Sequence, residues 1–364
     1  GFRFDLASIL SRDREGHILP NPPVVEAIAE DPLLADTKII AEAWDAAGAY
    51  QVGSFANLRW AEWNGRYRDD LRCFWRGDPH HTPALATRLA GSSDLYQPGG
   101  RQPYHSINFI TSHDGFPLND LVTYNEKHNE LNGEEGRDGD NNNCSYNYGV
   151  EGPTRRKSIE KIRLRQLKNM AASLLLSQGV PMILAGDECR RTQRGNNNAY
   201  CQDNAISWFN WRLVEKNAEL RRFFEVLIAF RKAESTVRQL HFLSGEPVYP
   251  GGLPDISWYT ATGESADWSG NGGSLTCLLG AQPQPDPLKP SNHHVLIMMH
   301  AGSEPRRFSI PKIARPLAWR LFINTAAESP ADAYPQLNGP SATVGKGVEL
   351  ESRSLLCYVA DDEP

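Results

Sequence analysis

Short apolar runs that end on charged or hydrogen-bonding groups recur along this chain, with helix-like stretches between them. That alternation constrains the fold more than any other feature. The runs lie at 1–5 (GFRFD), 38–44 (KIIAEAW), about 60–63, 106–112 (within SINFITSHDG) and 180–186 (within VPMILAGDE). Strands that alternate with helices form a parallel sheet with crossover helices. The helices are legible too: VVEAIAED after Pro22 and Pro23, GRYRDDLRCFW, and a long one over about 155–178. In the last, Ile159, Ile162, Leu167, Met170, Leu174 and Leu175 recur near the 3.6 period with Arg and Lys between them, and Gly179 and Pro181 end it.

Four of these strands deliver chemistry at their carboxyl ends. The two-residue period puts Phe2 and Phe4 on one face of the first strand and Arg3 and Asp5 on the other. A fixed cation beside Asp5 favours the ionised carboxylate that a nucleophile must be. Glu42 shares a strand face with Ile40, and desolvation there raises a carboxyl's pKa, which suits a general acid. His113 with Asp114, and Asp187 with Glu188, end two further strands. Taken singly, Arg3 with Asp5 reads equally well as a structural ion pair and Glu42 as a solvated strand end. Two carboxyls pushed apart in pKa make the pair that glycoside cleavage uses.

These segments resemble the α-amylase superfamily of glycoside hydrolases, and within it the glycogen-debranching and isoamylase-type members. GFRFDLA is similar to the family's nucleophile segment, IIAEAWD to its acid/base segment and FITSHDGFPLNDLV to the segment with the third carboxylate. The stretches NEKHNELNGEEGRDGDNNNCSYNYG and GDECRRTQRGNNNAYCQDNAISWFNW resemble long loops of the debranching group, and the likeness runs from residue 1 to about 238. The resemblance implies Asp5 as nucleophile, Glu42 as general acid/base and Asp114 as transition-state stabiliser, with Arg3 and His113 contacting sugar hydroxyls and the nucleophile. Trp44, next but one to Glu42, and Tyr200, in an amide-rich loop suited to sugar hydroxyls and ring faces, are expected to bind substrate. Two carboxylates and water complete such chemistry, so no cofactor is expected, and no metal site is read.

Two departures stand out. Ala43 follows the acid/base Glu where members of the group often carry Pro, and the family's earlier segment, with an Asp and an Asn-His pair, has no counterpart, so Gly1 falls at the start of the fourth barrel strand. A complete (β/α)8 barrel takes roughly 250 residues and eight strands. The expected fold is therefore α/β: a partial (β/α)8 TIM barrel holding strands 4 to 8 over residues 1–238, then an antiparallel β-sandwich domain over 239–364. Short alternating runs such as DISWYT, HHVLIMMH and SLLCYVA support the second part, and the proline-rich segment 280–292 reads as an exposed loop. Insertions at 45–59, 115–154 and 187–212 fall on the rim that would hold substrate. Such an open sheet exposes two edges and an apolar face, and the chain alone is expected to aggregate and lack activity.

Composition narrows the partners. A formal net charge of −6 and a pI near 6.0 argue against a nucleic-acid surface. There is no apolar run of about 18 residues and no basic-apolar-small leader, so neither a membrane span nor a signal peptide is expected. Six cysteines without CxxC spacing read as reduced thiols, hence a cytoplasmic protein. His294 and His300 lie too far apart in one strand to share an ion, and the DGDNNN run at 138–143 lacks the twelfth-position Glu of a calcium loop. Trp60, Trp63 and Trp75 read as core. The function expected is retaining hydrolysis of α-1,6 branches in glycogen or limit dextrin. The alternatives are an α-1,4-acting amylase or transglycosidase of the same superfamily, a non-catalytic glucan-binding subunit, or an incomplete gene product.

Overall fold

The computed structural model describes residues 1–56, 58–269, 272–281, 292–313, 316–342 and 347–362. Five parallel strands, β1 (Phe2–Phe4), β2 (Ile39–Ala41), β3 (Trp60–Trp63), β4 (Ser106–Phe109) and β5 (Val180–Met182), pair in sequence order. Each ends at or before the carboxyl end of its apolar run.

The crossovers start and stop where local chemistry dictates. Helix α1 (Pro23–Glu30) has proline in its first turn, where the missing N–H costs nothing. Helix α2 (Gly65–Arg76) begins on the Asn64 side chain, which accepts from the Tyr67 N–H at 2.9 Å, and ends on Gly77 at φ 97°. Short helix α3 (Thr82–Leu89) follows it, then α4 (Lys157–Leu176) and α5 (Ala218–Ala233).

Beyond α5 lies an antiparallel six-stranded sheet. It comprises β6 (Ile256–Tyr259), β7 (Ser274–Leu279), β8 (His293–His300), β10 (Trp319–Asn324), β11 (Ser341–Ala342) and β13 (Ser354–Asp361), in the order β11-β10-β13-β8-β7-β6. A separate ribbon pairs β9 (Arg306–Phe308) with β12 (Val348–Leu350). The two faces of β8 go to different cores. Val295, Ile297 and Met299 join α2, α4 and α5 in one cluster, while Leu296 and Met298 join Phe308, Trp319 and Leu350 in another. Burial on both faces explains the unbroken apolar stretch Val295 to Met299 in β8, where the sequence suggests alternation. The sandwich is thus uneven, with six strands backed by a two-stranded ribbon on one side and by helices on the other. The expected loop at 280–292 lies largely outside the described residues.

The polar residues that lie between the apolar positions of α4 are largely buried. Arg163, Arg165, Lys168 and Asn169 are buried. Lys168 Nζ is 2.7 Å from Asp332, Asn169 Nδ2 donates to the Arg353 carbonyl at 2.7 Å, and Arg165 donates to the Ser352 carbonyl at 2.5 Å. The six-stranded sheet and its loops pack against α4, so the charges there find partners instead of water.

Candidate active site

Arg3 and Asp5 leave β1 on one face, as the two-residue period requires, and Arg3 Nη1 donates to Asp5. The same nitrogen stands 3.8 Å from Glu42 Oε2 at the end of β2. Nη2 reaches His113 Nδ1 at 3.1 Å, and His113 Nε2 lies 3.6 Å from Asp5 and 3.4 Å from Asp114. One guanidinium and one imidazole therefore gather Asp5, Glu42 and Asp114. The three carboxyls have different surroundings. Asp5 and Asp114 have side chains 64% and 66% exposed, whereas Glu42 is 2% exposed. Burial pushes the Glu42 carboxyl above its ordinary range, against the opposing pull of the Leu6 N–H and Arg3. Leu6, at φ 41°, turns its N–H onto Glu42 Oε2 at 2.7 Å.

Trp63 belongs to this cluster although the sequence suggests plain core. Its ring lies 4.1 Å beneath the Arg3 guanidinium and 5.8 Å from the His113 ring, with Phe109 behind it at 5.4 Å. The clue lay in the parallel pairing, which sets the end of β3 between those of β2 and β4. Trp44 touches the cluster through Trp63, 6.5 Å away, and stacks on Tyr50 at 6.1 Å. Trp60 and Trp75 are fully buried, as read.

Two strand-end groups behave otherwise than expected. Asp187 does not converge on the reaction centre. It is 3% exposed, accepts from the Thr111 hydroxyl and from the Leu118 N–H at 2.9 Å, and burial lifts its pKa to about 7. It anchors the loop that follows β4. Glu188 accepts from the Gly186 N–H at 2.9 Å. The segment after β4 thus holds Asp187, and the backbone turn after β5 holds Glu188.

The amides of 195–204 are likewise spent within the protein. Asn196 and Asn197 are each 1% exposed. Asn197 Nδ2 donates to Asn143 Oδ1 at 2.9 Å and its Oδ1 accepts from Asn129, while Asn196 and Gln202 both donate to Asn132 Oδ1. Asp138 of the DGDNNN run accepts from Asn132 and Asn198 at 2.7 and 2.9 Å. The network reaches the site through the Asn197 carbonyl, which accepts from the Gly115 N–H beside Asp114 at 2.9 Å. Tyr200 is 70% exposed, and its hydroxyl donates to Glu134 at 2.6 Å. Trp208 and Trp211, passed over in the sequence, are exposed on the same loop.

The three strand histidines have protein partners: Glu234 for His293, the Ala281 N–H and Asp362 for His294, and Ser274 and the Glu304 carbonyl for His300.

No family model matches the chain. Relatives do. The "Glycogen operon protein GlgX homolog" of Mycobacterium tuberculosis is 51% identical over 274 residues, 74% of this chain and 38% of that protein. "Isoamylase 3, chloroplastic" of Oryza sativa subsp. japonica is 49% identical over 261 residues, 71% of this chain and 32% of the relative. The chain belongs to the isoamylase and glycogen-debranching group of the α-amylase superfamily. It spans well under half the length of these relatives. Type I pullulanase from Bacillus subtilis, solved with maltose, superposes with a TM-score of 0.65 at 19% identity over 99% of this chain and 44% of its own. That likeness supports an α/β barrel type of fold with a β domain. Among the described residues no helix is long and apolar enough to cross a membrane.

Proposed function

We propose that this chain carries the catalytic centre of a retaining glycoside hydrolase that removes α-1,6 branches from glycogen or limit dextrin in the cytoplasm. In this reading β1 to β5 are strands 4 to 8 of the barrel, residues 1–238 form the catalytic part and 239–364 the C-terminal β domain. Asp5 attacks the anomeric carbon while Glu42 protonates the departing oxygen, and Glu42 then activates water to release the sugar. Asp114 stabilises the oxocarbenium-like transition state, and Arg3 and His113 hold sugar hydroxyls. Trp44 and Tyr200 supply substrate contacts.

The observation that carries the reading is the shared cation. Arg3 Nη1 touches Asp5 and stands 3.8 Å from Glu42, so the two carboxyls meet across one nitrogen. That favours the retaining separation of about 5 to 5.5 Å over the wider inverting one. Burial supports the division of labour, because Glu42 keeps its proton better than an exposed carboxyl while Asp5 stands open to substrate. The linkage rests on the names of the relatives and on rim loops that carry exposed Tyr200, Trp208 and Trp211.

The test is product analysis on limit dextrin and on linear maltodextrin with this chain joined to the front strands that complete the barrel. Debranching should outpace cleavage of linear chains, and NMR should show the α-anomer first. Asp5→Asn and Glu42→Gln should each lower turnover by roughly 10⁴-fold or more with the melting curve unchanged. A β-anomer first product, or faster cleavage of the linear substrate, would overturn mechanism or linkage respectively.

A further inference from the structure

We infer that Cys73 and Cys144 join in a disulfide when the protein meets a disulfide oxidant, tying helix α2 to the loop that follows Asp114. The two sulfurs lie 3.2 Å apart, although the residues are 71 positions apart in sequence. The approach is built rather than accidental. Arg72, the residue before Cys73, donates to the carbonyl of Asn143, the residue before Cys144, at 3.1 Å, and to the Ile110 carbonyl at 2.9 Å. These bonds hold the helix turn against the loop with the cysteines facing, so closing a sulfur separation of 3.2 Å to the roughly 2.05 Å of a disulfide takes small side-chain movements. Neither cysteine takes part in the proposed reaction, and each keeps 8% of its surface exposed.

The chemistry balances with a small disulfide such as oxidised glutathione. Cys144 as thiolate attacks one glutathione sulfur and forms a mixed disulfide, releasing a first glutathione thiolate. Cys73 then loses its proton and attacks the Cys144 sulfur, releasing the second. Two protein thiols are oxidised to one disulfide and the reagent is reduced to two thiols. Cys144 is the better first nucleophile. The Cys73 S–H hydrogen bond, with Arg76 and Arg72 nearby, holds its pKa below the ordinary thiol value, while Cys73 is pushed up.

The tie would bear on the rim. Asn143, adjacent to Cys144, bonds Asn197, whose carbonyl holds Gly115 beside Asp114. In a reducing compartment the pair would act as a reversible brace, formed only under oxidation.

The experiment treats the purified protein with oxidised glutathione, blocks free thiols under denaturing conditions, and maps the digest by mass spectrometry. A peptide pair joined through Cys73 and Cys144 is expected. Titratable thiols should fall from the six cysteines of the sequence by two. The melting temperature should rise by several degrees and return on adding dithiothreitol, since a cross-link closing a loop this long restricts the unfolded chain. Cys73→Ser should leave a glutathione adduct on Cys144 and no rise in melting temperature. Recovery of both cysteines alkylated, a stable glutathione adduct on wild-type Cys144 with Cys73 still free, or a link through one of the other four cysteines would overturn the inference. The mapping needs only the wild-type protein, so failure of a variant to fold does not shelter it.

Discussion

Arg3 does more at this site than an ion-pair partner of Asp5 would, because one planar group faces two carboxyls and an imidazole while its flat side rests on Trp63. The aromatic face holds the guanidinium electrostatically while leaving its edge donors free, a contact worth about 0.5 to 2 kcal/mol. Trp63→Leu removes that face and should lower kcat/KM by roughly tenfold on the proposed substrate, with the larger part in kcat, whereas Trp63→Phe should recover much of it. Steady-state kinetics on both variants checks this, and equal losses in the two would mean the face is irrelevant. Asp187 gives a second prediction, in stability. Its folded pKa, about 7, lies above the ordinary 3.8, so the native state keeps a proton that the unfolded chain releases. Stability from this group is full below about 3.8 and declines as pH rises toward about 7, with an upper bound on the order of 4 kcal/mol. Asp187→Asn carries no such proton. Melting temperatures of wild type and variant should therefore diverge between pH 4 and pH 7 in the variant's favour, and parallel curves would refute the assignment.

At the scale of elements, the rim is held by side chains rather than by regular structure. Asn129, Asn132, Asn143, Asn196 and Asn197 join the loop after β4 to the loop after β5, and four of their hydrogen bonds run from 2.8 to 2.9 Å. Asn197→Ala removes two side-chain donors and an acceptor from a buried network, so its former partners lose their bonds without gaining water. A loss of about 1 to 3 kcal/mol is expected. Limited proteolysis should then cut within 129–143 faster than in wild type. If the cutting rate stays the same while the melting temperature falls, the network stabilises the core rather than the loops.

For the whole molecule, the decisive contact is between α4, α5 and the six-stranded sheet. Asp332 is fully buried between Lys168, at 2.7 Å, and Arg222, at 2.8 Å. Arg222 also donates to the Ala333 carbonyl at 2.7 Å. Both cations come from the helices and the carboxylate from the loop after β10. Asp332→Ala strands a buried ammonium without its counter-charge, which typically costs about 3 to 5 kcal/mol. Chemical denaturation should show that loss. The same variant with Lys168→Met should regain part of it, because the uncompensated charge is gone. No regain would place the cost elsewhere.

The five strands, the long helices and the first cluster of site residues were legible in the sequence because they rest on short-range physics. Period-two alternation places Arg3 with Asp5, apolar runs mark the strands, and proline and glycine mark helix ends. The resemblance to a known family added expected roles that composition and spacing do not supply. Trp63, the Asp187 anchor, the asparagine network, the buried charges of α4 and the Cys73–Cys144 approach were not legible. Each depends on which side of an element meets another element far away in sequence. A tryptophan in a strand reads as core until the neighbouring strands show that a guanidinium lies on it, and an asparagine-rich loop reads as solvent-facing until a second loop takes up its hydrogen bonds. Local sequence determined where the elements lie and which groups stand at their ends. Tertiary contact alone decided which of those groups remain open to a ligand, because burial and pairing are set by partners that no local pattern names.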